Sequence, residues 1–424
     1  MKEDFLHYVW KYQKLCTSKL HTVTGDEVVV IHPGQHNFNS GPDFFNAQVK
    51  INDQLWAGNV ELHLKSSDWY AHGHETDIAY DSIILHVVWE HDSDVFNKNQ
   101  ETYDTLQLKN YVKKAALKSY DTLFSTEQKW INCESQFHTV HGFVLENWLE
   151  RLYFERLEQK SEQILQQLAQ NNNHWEALLF QMLAKNFGLK VNGESFFSIA
   201  SSIDFSIVQK CRTNVFDLEA LLFGQAGLLE KEPTDEYFKI LQLKYTYLTH
   251  KFQLDNTSVI APKFFRLRPP NFPTLRLSQL AALYTEKEHL FSTVLESKTK
   301  EEFYEIFNAK ATPYWNTHFN FGVPASKRGK TLTKNFIDLL LINTVIPIKF
   351  CYAQSQNKDI SEELIQLAAS VSKEENTIVH GFNTLRPSAH NAMDSQALIQ
   401  LKNKYCDLKK CLDCAVGNSL LNRT

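Results

Sequence analysis

The chain of 424 residues carries 44 basic and 49 acidic side chains, and 43% of its residues are hydrophobic. This length allows two or three domains with sizeable cores, and the scarcity of glycine (14) and proline (11) excludes collagen-like and low-complexity proteins. The formal net charge of -5 excludes a general attraction to nucleic acid or to an anionic membrane, so nucleic-acid binding would require local basic patches.

The sequence predicts a cytoplasmic protein without a membrane-spanning segment. Its longest apolar run, residues 336–352, is interrupted by charged and polar side chains, and its N-terminus lacks the apolar stretch of a signal peptide. Seven scattered cysteines are an odd number, which favours free thiols in a reducing compartment over a disulfide framework.

Residues 1–118 are predicted to form a domain with a mixed β-sheet. Apolar residues at helical spacing predict an opening helix over 3–16, and a β-branched run predicts a strand over 28–31. Residues 45–51 and 55–65, joined by a short turn, predict a β-hairpin. The continuous apolar run 82–88 predicts a buried central strand, so the domain begins with a helix followed by strands.

Residues 119–424 are predicted to form a larger, mostly helical domain. Helices are expected over 144–169, 174–187, 215–229, 235–252, 276–286, 301–308, 333–350, 361–371 and 394–405. The expected fold class is therefore α+β, with an N-terminal sheet domain and a C-terminal helical domain.

One face of the predicted hairpin carries polar side chains. Glu61, His63 and Lys65 alternate along one strand and share a face, and Asp43 lies at the start of the antiparallel partner strand. Two carboxylates on adjacent strands can bind a divalent cation, and a neighbouring base can orient a water molecule. The same alternation also occurs on the solvent-exposed face of an ordinary hairpin.

The order of elements and the spacing of Asp43 and Glu61 resemble the PD-(D/E)xK nuclease superfamily over roughly residues 1–95. The resemblance implies that these two acids bind Mg2+ or Mn2+ and that a lysine two positions after the second acid positions water or phosphate. Here that position is His63, and Lys65 follows two residues later. Either His63 or Lys65 could therefore take the role of positioning water or phosphate.

A second possible metal site is rich in histidine. His72 and His74 form a His-x-His pair after the hairpin, and His63 and His86 are contributed by neighbouring predicted strands. Imidazole is a common ligand for zinc and iron, so these four residues are an alternative metal site. Their spacing matches no established zinc signature, and His86 within its apolar run also suits a buried core histidine.

Three strings of the sequence resemble an uncharacterised family of Bacteroidota, catalogued as a domain of unknown function. The strings are NSGPDFFNAQVKI with the hairpin that follows it, FRLRPPNFPTLRLSQLA, and KYCDLKKCLDCAVG. The resemblance spans most of the chain and implies kinship without implying an activity.

Two basic segments in the second region are candidates for binding DNA or RNA. The first is stiffened by prolines and the second is a short loop; together they supply Arg266, Arg268, Arg276, Lys327, Arg328 and Lys330. The alternative is a structural role, in which these cations bind carbonyl and carboxylate oxygens within the helical array.

Three of the seven cysteines lie close together near the C-terminus, as Cys406, Cys411 and Cys414. A C-x2-C pair is a common knuckle for zinc or for an iron–sulfur cluster, so this segment is a candidate metal site. A fourth ligand is missing locally, and the candidates are Cys351, His380 and His390. The alternative is a helix end with free thiols.

The sequence therefore predicts a divalent-metal-dependent phosphodiesterase that acts on nucleic acid. Two other interpretations remain open: a non-catalytic scaffold that binds nucleic acid or protein on a nuclease-like fold, and a metalloprotein with a histidine-rich site. Protein partners are not predicted.

Overall fold

A computed structural model describes residues 2–17, 19–37, 39–124 and 129–422, and it divides the chain into two compact units. Unit 1 comprises Met1–Trp148 together with Leu401–Thr424, and unit 2 comprises Leu149–Gln400. This division differs from the predicted boundary after residue 118. The difference arises because the C-terminal segment returns to unit 1, where its last helix, Ala415–Leu421, packs against the helix Lys114–Leu123.

The sheet of unit 1 is mixed. Its strands are β1 (Leu20–His21), β2 (Glu27–His32), β3 (Gln35–His36), β4 (Phe44–Ile51), β5 (Gln54–Lys65), β6 (Ile83–Glu90) and β7 (Thr105–Gln107). The strand order is β1-β2-β4-β5-β6-β7, with β3 paired to β4. Strands β2, β4 and β5 pair antiparallel, whereas β5, β6 and β7 pair parallel. The predicted hairpin and central strand are confirmed.

The register of the sheet places polar residues side by side. In the antiparallel pair β4–β5, Phe44 faces Val60. Asp43, the residue before β4, therefore lies next to Glu61, the residue after Val60. In the parallel pair β5–β6, Glu61 is aligned with His86. Val60 and Leu62 are fully buried, as expected for the core side of β5, but Glu61 and His63 on the other face are buried too.

In addition to its neighbouring strands, two helices of unit 1 contact the β5 strand. They are α1 (Glu3–Lys11) and α2 (Asp68–Ala71), and α2 begins the segment that leads through two short 3-10 turns, His74–Thr76 and Ile78–Tyr80, to β6. The α1 helix has buried apolar side chains, and the Trp10 indole donates a hydrogen bond to the carbonyl oxygen of Pro33 (2.9 Å). These covering elements explain why the polar face is not solvent-exposed.

The remaining helix of the N-terminal part is α3 (Lys114–Leu123), and α4 (Gly142–Gln170) begins in unit 1 and continues in unit 2. Unit 2 is mostly helical, as predicted. Its further helices are α5 (Trp175–Phe187), α6 (Leu189–Ser201), α7 (Phe205–Cys211), α8 (Val215–Gln225), α9 (Glu236–Phe252), α10 (Pro273–Glu286), α11 (Leu290–Glu296), α12 (Lys300–Ile306), α13 (Lys334–Leu340), α14 (Ile346–Ser355), α15 (Ser361–Ser370), α16 (Thr377–Leu385) and α17 (Ala392–Leu401). A short hairpin, β8 (His318–Asn320) and β9 (Val323–Pro324), lies between α12 and α13. The chain ends with α18 (Ala415–Leu421).

One helical segment, Lys334–Ser355, has the length and apolar composition to cross a membrane. It comprises α13, a π-helical turn over Leu341–Val345, and α14. Its most apolar window is 78% buried inside the protein, which is the property of a core helix.

Close packing of α8 against α9 depends on a glycine. A Cβ atom at Gly224 would lie 2.0 Å from the ring of Tyr245, so Gly224→Ala is expected to destabilise the protein by about 1–3 kcal/mol through overpacking. Chemical denaturation of the purified variant measures the change. Gly329→Ala is the matched control because the nearest atom to its Cβ would be 3.5 Å away; equal stability of both variants would contradict this packing.

Candidate metal centre

Asp43 and Glu61 face each other at the start of β4 and in β5. The backbone N–H of Asp43 donates to Glu61 Oε2 (3.0 Å), and the backbone N–H of Leu62 donates to Asp43 Oδ2 (2.9 Å). These reciprocal bonds follow from the antiparallel register of the hairpin. They bring together the two acids that the strand pattern singled out.

Three histidines lie beside Glu61. One ligand nitrogen from each of His63, His72 and His74 lies within 4.8 Å of the others. His63 Nε2 is 3.2 Å from His72 Nδ1, and Glu61 Oε1 is 3.3 Å from His74 Nε2 and 3.7 Å from His63 Nε2. The side chains reach this point from β5 and from the segment between α2 and β6.

These separations suit metal ligation. With metal–nitrogen bonds of about 2.1 Å, neighbouring ligands of a tetrahedral site lie about 3.4 Å apart. The distances of 3.2, 3.3 and 3.7 Å bracket that value. The candidate donors are three imidazole nitrogens, with the Glu61 carboxyl group close to two of them, and we name this group, Glu61 with His63, His72 and His74, the candidate metal centre.

His86 lies behind the candidate metal centre. Its Nε2 is 2.9 Å from His63 Nδ1, and its own side chain is fully buried. When His63 carries its proton on Nδ1, it donates to His86 and leaves the Nε2 lone pair directed at the centre. In metal sites, a ligating histidine is usually oriented by a hydrogen bond at its other nitrogen.

Glu61 is held as a neutral acid in the absence of a cation. Burial, with the negative charge of Asp43 as a second cause, raises the pKa of Glu61 to about 9. Because only 4% of Glu61 is exposed, solvent does little to stabilise its charged form. A bound cation would replace this proton.

Three histidines of this region, His63, His74 and His86, are held neutral. Burial, together with the neighbouring His86, lowers the pKa of His63 to about 2, and burial lowers the pKa of His86 to about 3. Burial and the nearby His72 also lower the pKa of His74. Neutral imidazole is the form that binds metal, so these ligands need not lose a proton first.

His7 of α1 is a site residue that the sequence reasoning missed. Its Nε2 lies 3.2 Å from Asp43 Oδ2. Burial lowers the pKa of His7, but the hydrogen bond and the negative charge of Asp43 outweigh it, and the pKa is raised. The sequence does place His7 on the polar side of the predicted first helix. Helical periodicity, however, does not show which distant strand that side of the helix contacts.

A cavity of about 430 Å³ opens beside this pair. His7 lines it, and its wall also carries Lys11, Lys409 and Lys410. Asp4 and Asp413 also line it, so the cavity wall carries three ammonium groups against two carboxylates and has a small excess of positive charge.

Lys65 does not join the candidate metal centre. It is the last residue of β5, its side chain is exposed, and its backbone N–H bonds Asp68 Oδ2 (2.9 Å). Among the described residues, no contact joins its ammonium group to Asp43 or Glu61. The expectation that Lys65 positions water or phosphate is corrected for this reason.

Two of the basic residues predicted to bind nucleic acid are internal. The Arg276 guanidinium bonds Gln279 and Asn271 and packs on the ring of Phe336. The Lys330 ammonium donates to a backbone carbonyl and lies over an aromatic ring, and both residues are buried. Packing within unit 2 therefore corrects their predicted role.

The other four basic residues are exposed on unit 2: Arg266, Arg268, Lys327 and Arg328. Their contact with nucleic acid stays a prediction. The C-terminal cysteines Cys406, Cys411 and Cys414 come together within unit 1, close enough for their thiols to interact electrostatically.

Comparison with known proteins gives one match. A family model described as "Protein of unknown function (DUF2851)" matches residues 3–377. No curated protein and no solved structure matches the chain.

Proposed function

The chain belongs to the DUF2851 family of proteins of unknown function, and we propose that it is a metal-dependent phosphodiesterase acting on nucleic acid. One observation carries the proposal: three histidine nitrogens lie within 4.8 Å of one another, and the buried Glu61 carboxyl group lies within 3.7 Å of two of them, beside Asp43. A divalent cation held there, next to a cavity with basic side chains, would suit the hydrolysis of a phosphodiester.

The donor set indicates the kind of metal. Three nitrogens and one oxygen favour Zn2+, or Mn2+ as a second choice, over Mg2+, which prefers oxygen ligands. The proposed centre thereby joins three residues of the histidine-rich site with Glu61, beside Asp43. A divalent cation held there would acidify a water molecule and stabilise negative charge on a phosphate group.

The topology of unit 1 supports the phosphodiesterase class. Apart from the two-residue strands β1 and β3, helix α1 is followed by three antiparallel strands, a short helix and a parallel strand, in the spatial order β2-β4-β5-β6. Asp43 immediately precedes the second of these strands, and Glu61 lies in the third. This arrangement resembles the PD-(D/E)xK nuclease order, with His63 in place of the lysine.

The chain supplies groups for the rest of the chemistry. His7 lines the cavity, and its Nε2 lies 3.2 Å from Asp43 Oδ2, so His7 is placed where it can accept or return a proton. The ammonium groups of Lys11, Lys409 and Lys410 can hold the phosphates of a bound strand.

We expect the zinc-loaded protein to cleave single- or double-stranded DNA or RNA. Because His7 is the proton-transfer group of the proposal, His7→Ala is expected to lower kcat by about 100-fold or more without changing the metal content. The measurement is gel-based cleavage of labelled strands with Zn2+, Mn2+ or Mg2+. Lys65→Ala is the matched control, and its kcat is expected to stay unchanged.

The binding-scaffold alternative has a distinct outcome. Salt-dependent binding of nucleic acid without cleavage by any of the three metals would contradict the enzyme and support the scaffold. Metal binding with neither cleavage nor nucleic-acid binding would leave a histidine-rich metalloprotein and refute the phosphodiesterase.

A further inference from the structure

Helix α9 of unit 2 carries apolar side chains on two faces. Its inner face packs into the helical core, and the buried residues there are Phe238, Leu241 and Leu248. Its outer face carries Ile240, Leu243 and Tyr247, which are 40%, 64% and 62% exposed. A surface helix of a globular protein typically keeps one apolar stripe, directed at its own core, and is polar on the opposite face. The outer stripe therefore needs a partner outside the core of unit 2.

The outer stripe has the spacing of a helix–helix contact. Ile240, Leu243 and Tyr247 are separated by three and then four residues, which is the alternation found along a coiled-coil seam. With 3.6 residues per turn, the three side chains lie within an arc of about 60° and along about 10 Å of the helix axis. Residues three and four apart on a helix are neighbours on its surface. The three side chains therefore form one continuous stripe.

The two ends of the stripe carry opposite charges. Glu236 lies one turn before Ile240 and Lys251 lies one turn after Tyr247, and both charged residues are exposed. The Lys251 ammonium is 5.4 Å from the centroid of the Tyr247 ring. In the part of the chain that the structure describes, no ion pair joins Glu236 or Lys251 to another side chain. Both charges are therefore available to a partner.

The centre of the stripe carries no opposing charge. Lys244, the residue after Leu243, forms an ion pair with Asp217 of α8, with 2.5 Å between its ammonium nitrogen and the Asp217 Oδ1 atom. Its positive charge is therefore neutralised within the same chain. An apolar surface can approach Leu243 without meeting an unpaired ammonium group there.

The order of these groups is complementary to itself in the antiparallel direction. Ile240 precedes Leu243 by three residues and Tyr247 follows it by four, while Glu236 precedes it by seven and Lys251 follows it by eight. When two copies of α9 lie antiparallel with Leu243 at the twofold axis, Ile240 faces Tyr247 of the second copy and Glu236 faces Lys251. A parallel pair would instead place each charge opposite its own counterpart. Such self-complementarity is the property of a twofold-symmetric interface.

We propose that a second copy of this chain docks on the outer stripe of α9, so that the protein forms a twofold-symmetric dimer. The two Leu243 side chains pack at the axis, each Ile240 packs on Tyr247 of the other copy, and two Glu236–Lys251 ion pairs close the ends. The interface lies on unit 2. It depends neither on metal binding nor on the proposed phosphodiesterase activity.

The size of the contact determines the expected affinity. A helix of 17 residues is about 25 Å long, so one pair of such helices buries less than the roughly 1,600 Å² of a standard protein–protein interface. We therefore expect a weak dimer that forms at concentrations of about 10 μM. The ion pairs at the exposed ends contribute to the direction of pairing more than to its strength.

Sedimentation velocity of the full-length protein, between about 1 and 100 μM, tests the proposal. The mass of the wild type is expected to rise with concentration toward twice that of one chain. Leu243→Glu places two carboxylates against each other at the axis and is expected to weaken dimerisation by at least about 100-fold. Leu165→Glu, the same change at an exposed position of α4, is the matched control and is expected to leave dimerisation unchanged.

Exchange of the end charges tests the antiparallel direction. Glu236→Lys is expected to weaken dimerisation by about tenfold, because the new ammonium group faces Lys251 of the second copy. Adding Lys251→Glu restores opposite charges and is expected to recover the wild-type affinity. Both positions are exposed, so these variants also decide the question if Leu243→Glu fails to fold.

Three results would overturn the dimer. The first is a wild-type protein that stays monomeric at about 100 μM. The second is dimerisation that Leu243→Glu leaves unchanged, because a different surface would then form the contact. The third is equal weakening by Leu243→Glu and Leu165→Glu, since the effect would then not belong to α9. A dimer that Leu243→Glu weakens, but that the exchanged charges do not recover, overturns the antiparallel pairing.

Discussion

Replacing His63 by alanine is expected to weaken zinc binding at the candidate metal centre by at least a hundredfold. His63 is the central ligand, since its Nε2 lies within 3.7 Å of both Glu61 and His72. Loss of a residue that only hydrogen-bonds a metal ligand typically lowers metal affinity by about 10–100-fold. Loss of a ligand itself is therefore expected to lower it by at least about 100-fold. Competition with a chromophoric chelator measures the affinity.

Two variants of histidines that are not ligands serve as comparisons for the zinc affinity of His63→Ala. His86→Ala removes only the hydrogen bond to His63 Nδ1 and is expected to cost about 10–100-fold. His21→Ala, at an exposed position of β1, is expected to leave the affinity unchanged. A zinc affinity that is equal in wild type, His63→Ala and His21→Ala would show that the convergence of imidazoles is only a packing arrangement.

The sequence predicted the part of the centre that depends on strand geometry. Side-chain alternation placed Glu61 and His63 on one face, and the short turn of the hairpin placed Asp43 opposite Glu61. Both relationships follow from local chain geometry. The alternation also predicted Lys65 on that face, but the strand ends there and its side chain reaches solvent.

The missing parts depend on contacts between distant segments. His7 reaches Asp43 from a helix 36 residues earlier in the sequence. No periodic pattern encodes such contacts. The burial of Arg276 and Lys330 was unpredictable for the same reason, since it depends on how the helices of unit 2 pack.

The combined contribution of Glu61, His63 and His86 to the stability of the metal-free protein is expected to be greatest near pH 6.5. Folding raises the pKa of Glu61 from 4.5 to about 9, so the stability it contributes is complete below pH 4.5 and is lost as the pH rises toward 9. Folding lowers the pKa of His63 from 6.5 to about 2 and that of His86 to about 3. Their contribution is complete above pH 6.5 and is lost as the pH falls.

The titration of Glu61 and that of the two histidines determine how the free energy of unfolding changes with pH below and above pH 6.5. Between pH 4.5 and 6.5, unfolding takes up protons at two histidines and releases one from Glu61, so the free energy of unfolding rises with pH. Above pH 6.5 the loss of the Glu61 contribution lowers the free energy of unfolding by a few kcal/mol, on the order of 3, up to pH 9. The raised pKa of His7 acts in the same direction, whereas Lys160, whose pKa burial lowers to about 7, acts in the opposite direction.

Urea denaturation at a series of pH values, with wild type and Glu61→Gln compared at each, isolates this effect from other titrating groups. The difference in unfolding free energy between the two proteins is expected to change steadily between pH 6.5 and 9, because glutamine cannot ionise. Saturating zinc is expected to abolish the decline in unfolding free energy that Glu61 causes in the wild type at alkaline pH. The reason is that the ligated carboxylate is already deprotonated in the folded state. A difference that stays constant with pH would mean that Glu61 is ionised in the folded protein and that the candidate metal centre does not hold it as a neutral acid.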